Sequence, residues 1–105
     1  MKLTINIMSF MMVLILGGFL NNAEANEAKH LYKVRCARCH GDTAQGVTGY
    51  SPKLAGQHTL YLIDQIKDIR SGARNNGLSR VMRSIFKKLN DEQIKNISTW
   101  LRSQE

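Results

Sequence analysis

Apolar positions recur along most of this chain every three to four residues, and two glycine-rich polar stretches interrupt them. Ala28, Leu31, Tyr32 and Val34 predict a short amphipathic helix over residues 27–35. Residues 41–57 read as loop: Gly41, Gly46, Gly49, Gly56 and the chain's one proline, Pro52, lie there among Ser, Thr and Asp. A second helix is predicted over residues 58–70, with Leu62, Ile66 and Ile69 as its inner stripe, Tyr61 and Ile63 flanking, and Gly72 as its stop. Residues 71–78 are again loop. Leu78, Val81, Met82, Ile85, Phe86 and Leu89 keep helical spacing and predict one or two short turns. Asn90, with Gln93 three residues on, has the form of a capping box. It opens a last helix whose inner face is Ile94, Ile97, Trp100 and Leu101. No strand-like alternation and no internal repeat is present, so the fold class is all-α.

The first stretch has another pattern. From Ile7 to Leu20 only Ser9 is polar, Lys2 supplies a minimal positive start, and Ala23-Glu24-Ala25 puts small residues at both positions before a cut. This reads as a secretory signal, residues 1–25, cleaved after Ala25 to leave one domain over 26–105. The alternative is an anchor kept through residues 3–20. The apolar run of about 14 residues is shorter than the ~20 that a spanning helix needs, which favours cleavage and no stable membrane insertion. Export places the mature chain in the periplasm.

Charge narrows the class of partner. The 105 residues carry a formal +7, and loss of Lys2 and Glu24 with the signal leaves that value unchanged. A small basic domain steers towards acidic surfaces. Nucleic acid is disfavoured, because the basic residues are dispersed and no docking motif accompanies them.

The chemistry lies in Cys36-Ala37-Arg38-Cys39-His40, which contains both cysteines of the chain. Cys-x-x-Cys-His is the attachment pattern of a c-type haem. Each thiol adds to one vinyl group, two residues span the distance between the vinyls, and the histidine that follows is the proximal iron ligand. Three other readings explain less. A redox dithiol normally follows a strand. A zinc site lacks a second pair of ligands, since His30 and His58 are single. A disulfide here would close too small a loop to stabilise much. Only haem accounts for His40. One covalent haem c is therefore the expected cofactor, with about four short helices wrapped around it.

Beyond the motif, several stretches carry a family likeness. They are Leu31-Tyr32 ahead of Cys36–Gly41, then Pro52-Lys53-Leu54-Ala55-Gly56-Gln57, Tyr61 with Gln65-Ile66, Ser71-Gly72-Ala73-Arg74, and Leu89-Asn90-Asp91-Glu92 leading to Trp100-Leu101. Over residues 27–104 the chain resembles a single-haem class I cytochrome c, similar to one domain of the diheme periplasmic cytochromes of the c-four type. The resemblance implies a methionine as sixth iron ligand, in the segment before the last helix. Met82 is the one methionine outside the signal, and it lies there. Its rivals are a plain core role for Met82 and ligation by His58 instead. Relatives often carry a proline or second methionine beside the ligand; here Arg83 follows and Ile85 holds the other position. The resemblance also implies that the Pro52 carbonyl accepts the second ring N–H of His40. Gln57 and Arg74 are candidates to hold a haem propionate, and Ala28 stands where a glycine lets the first and last helices cross closely.

The function expected is single-electron transfer by a protein that is not catalytic alone. Lys53, Arg38, Lys87 and Lys88 are candidates to ring the docking surface for acidic redox partners. The chain is then a monomer or a subunit of a complex. Two alternatives remain: the haem subunit of a larger oxidoreductase, and an open-iron protein that binds a gas or peroxide.

Overall fold

The computed structural model describes residues 22–105. The apolar run of the expected signal lies outside the described residues, and the expected cut after Ala25 falls inside a helical stretch. That stretch, α1, covers residues 22–35. After it come α2 (Ala37–His40), α3 (Thr59–Ser71), α4 (Ser79–Phe86) and α5 (Asp91–Arg102). Among the described residues no strand forms, only an isolated bridge between Val47 and Ser51, and no helix is long and apolar enough to cross a membrane.

Each helix has a legible cause. α3 buries Leu62, Ile66 and Ile69, the three- and four-residue stripe, and ends where Gly72 takes a left-handed φ of 90°. α5 starts on a complete capping box: Asn90 accepts from the Gln93 N–H, and the Gln93 side chain accepts from the Asn90 N–H. Residues 79–86 form one eight-residue helix with Leu78 as its N-cap, about two turns as the spacing predicts. Its strongly one-sided sequence buries Phe86 and Ser79 and packs it on α3.

The core joins Ala28 and Tyr32 of α1 to the stripes of α3 and α5. The Tyr32 and Trp100 rings lie 5.0 Å apart, tilted by 39°, where α1 meets α5. At Ala28, only 1% exposed, a methyl group occupies the position at which the resemblance places a glycine. Arg70 ties the end of α3 to the start of α5, donating to the Leu89 carbonyl at 3.3 Å and to Asp91 at 2.7 Å.

Candidate functional site

The loop of residues 41–57 folds back over α2 because its own backbone is pinned at both ends. Gly46 donates to the His40 carbonyl at 2.8 Å. The Ala44 carbonyl accepts from both Leu54 and Ala55, and the Ser51 hydroxyl donates to the Cys39 carbonyl. Gly46 has a φ of 77°, and a Cβ there would lie 2.6 Å from the Ser51 oxygen and 2.7 Å from the Pro52 carbonyl carbon. Only glycine allows that approach. At the far end, Gly56 donates to the Leu101 carbonyl at 3.0 Å and accepts from Arg102 at 2.7 Å.

This folding brings the Pro52 carbonyl to 3.1 Å from His40 Nδ1. A carbonyl only accepts, so Nδ1 carries the proton and Nε2 keeps its lone pair. His40 is 5% exposed. It lines a cavity of about 430 Å³ together with Cys39, Pro52, Gln57, Arg74 and Met82. Cys36 is buried at the head of α2 and is not part of the wall, and Cys39 is half-buried. His58, capping α3, is exposed and outside the cavity wall, and His30 is exposed on α1. The structure thus brings six of the eight candidate site residues to one wall, with Cys36 at the N-cap of α2 and His58 outside it.

The wall suits a flat, largely apolar molecule with an anionic edge. Leu62, Ile69, Val81 and Phe86 supply apolar surface, and its charged members are Lys53 and Arg74, with no carboxylate among them. Arg74 donates to Gln65, also in the wall, at 2.8 Å. With two thiols and an imidazole bearing a free Nε2, this donor set fits haem c. Among the described residues no three His, Cys, Asp or Glu side chains cluster, so the zinc reading finds no second pair of ligands.

Burial pushes the Cys36 thiol up to about 11, eased by Arg35 and reinforced by Cys39. Burial likewise raises the Tyr32 phenol to about 12, with a smaller contribution from Cys36. Its hydroxyl donates to the Gly41 carbonyl at 2.5 Å, fastening the end of α2 to α1.

Sequence reasoning missed Gln65 as the partner of Arg74, the Tyr32 hydroxyl and the steric need for Gly46. Gln65 and Tyr32 each left a signal, since both stand within stretches carrying the family likeness, whereas Gly46 did not.

Comparison with known proteins agrees with the geometry. The family model for cytochrome c matches residues 25–105. The chain is 39% identical over 70 residues to cytochrome c-554(548) of Halomonas halodenitrificans, covering 67% of this chain and 84% of that one. It is 41% identical over 68 residues to cytochrome c4 of Azotobacter vinelandii, covering 63% of this chain and 32% of the relative. A protein of Thiomonas intermedia named as a thiosulfate dehydrogenase electron acceptor is 35% identical over 69 residues, 66% of this chain and 32% of its own length. The match therefore spans about a third of the latter two.

Proposed function

The chain belongs to the cytochrome c family, and on that premise we propose that it carries single electrons in the periplasm through a haem whose iron His40 and Met82 would hold. Membership makes it a c-type haem electron carrier with covalently bound haem. The bound haem supplies a one-electron ferrous/ferric couple. The chain's residues hold and tune it.

Cys36 and Cys39 supply the two thioether sulfurs. His40 offers Nε2, and its hydrogen bond to Pro52 fixes the tautomer and the ring plane. Met82 offers a soft, neutral sulfur that favours the reduced state relative to a second histidine. Arg74, held by Gln65, and Lys53 neutralise propionate charge, with Gln57 as a further polar contact. The observation that carries this reading is the convergence on one apolar cavity of an imidazole already engaged at Nδ1 and the sole methionine beyond residue 12. The exposed position of His58, away from the wall, also favours Met82.

The optical spectrum of the purified holoprotein tests the ligand pair. The ferric form is expected to be low-spin, with the weak far-red band of a thioether-ligated haem, and Met82→Ala abolishes that band. A low-spin spectrum unchanged in Met82→Ala, and altered in His58→Ala, overturns the assignment. A high-spin ferric spectrum leaves the open-iron alternative in its place.

One observation favours a second form of the same role. The likeness to a thiosulfate dehydrogenase electron acceptor points to a catalytic redox partner that delivers electrons to this chain. The exposed Arg38, Lys53, Lys87 and Lys88 suit an acidic surface on such a partner. A complex that survives gel filtration marks a stable subunit; transient, salt-sensitive docking marks a mobile carrier.

A further inference from the structure

The helix that carries Met82 is not self-supporting. α4 has eight residues, against the ~12–15 needed for an isolated helix in water. It has no side-chain cap at Leu78 and no acidic residue in its first turn. Its position is set by tertiary contacts, and Ser79 and Phe86 are buried near its two ends.

Between them Arg83, half-buried and absent from the cavity wall, makes two bonds that leave the helix. Its Nε donates to the Ile69 carbonyl at 3.1 Å, and its Nη2 donates to Asn75 Oδ1 at 2.8 Å. Ile69 lies in the last turn of α3, where its carbonyl also accepts from the Gly72 N–H at 3.2 Å and the helix dipole favours a cation. Gly72 leaves room for the guanidinium: a Cβ there would lie 3.3 Å from Nη2. One planar group thus fastens α4 both to the end of α3 and to the intervening loop.

We propose that Arg83 is a positioning residue for the axial ligand: its guanidinium clamps α4 to the Ile69 carbonyl and Asn75, and so holds the adjacent Met82 thioether at the haem. This rests on the Met82 reading above. Without the clamp, α4 leaves the cavity more often, and an added ligand competes more successfully for the iron.

The test titrates imidazole into ferric holoprotein and follows the far-red band. Two controls come first, on wild type and on Met82→Ala. Absence of that band, or its survival in Met82→Ala, overturns the Met82 reading and this inference with it. With the band present and Met82-dependent, Arg83→Met is expected to bind imidazole at least about tenfold more tightly, the scale of one lost charge-assisted hydrogen bond. Arg83→Lys keeps the charge without the planar fork and is expected to stay weaker-holding than wild type. Asn75→Ala, which removes one arm, should give a smaller gain. Ile97→Val in α5 serves as a reference for general destabilisation and should leave imidazole affinity unchanged. The proposal is overturned if Arg83→Met merely lowers thermal stability with wild-type imidazole affinity, if Ile97→Val raises affinity equally, or if Arg83→Lys restores wild-type behaviour in full. Should Arg83→Met fail to fold, Arg83→Lys and Asn75→Ala decide the matter by the same readout.

Discussion

Tyr32 joins three parts of the molecule: its ring meets Trp100 of α5, its hydroxyl holds the Gly41 carbonyl, and its backbone belongs to α1. Burial raises the phenol to about 12, so the folded state keeps a proton that the unfolded chain releases near pH 10. The sign follows from linkage: stability is full below about pH 10 and falls between about pH 10 and 12, by about 1.4 kcal/mol per pH unit. Thermal unfolding of the reduced holoprotein at several alkaline pH values should show this slope, and Tyr32→Phe should lack it. At neutral pH the same variant should cost about 0.5–1.5 kcal/mol for the lost hydrogen bond. Ser98 is the opposite case: its hydroxyl is fully buried on the inner face of α5 and makes no hydrogen bond among the described residues. Neither environment is legible in the chain. Periodicity identifies which face of a helix is apolar, and a serine on that face or the target of a tyrosine hydroxyl nine residues away leaves no such mark.

At the scale of elements, local rules read well where the cause is local. The capping box of α5 needs only Asn90 and Gln93, both visible in the chain. Asn90→Ala is expected to lower stability by about 1 kcal/mol, measured by chemical denaturation, without altering the visible spectrum. The stripe of α3 was equally legible, since Leu62, Ile66 and Ile69 repeat at helical spacing and all are buried. The helical spacing of α4 is legible in the chain, but eight residues with no capping side chain are weak in isolation. Its order comes instead from Phe86, Ser79 and a guanidinium bonded to a carbonyl fourteen positions back. The two staples at the end of α3, Arg70 and Arg83, were hidden for the same reason: each joins residues distant in sequence. The motif of α2 was plain from its residue types alone, whereas the cavity facing it needed the folded loop.

For the whole molecule, a domain of about 80 residues with a modest set of buried aliphatic side chains has a thin core. The covalent haem supplies the missing apolar surface. Cys36→Ser combined with Cys39→Ser, kept free of haem, is therefore expected to lose most of its helical circular dichroism. Native-like helicity in that protein would show that the polypeptide stands alone. Assembly has an order built into it as well. The loop that presents Pro52 to His40 is clasped at Gly56 by Leu101 and by Arg102, the latter 46 residues further along the chain. A nascent chain exposes both thiols and the imidazole long before that clasp exists. Covalent attachment involves only the short motif, whereas the loop that orients the imidazole is clasped only where α5 has packed against it. The clasp thus works as a latch on the loop that orients the imidazole, separate from the motif that carries the thiols.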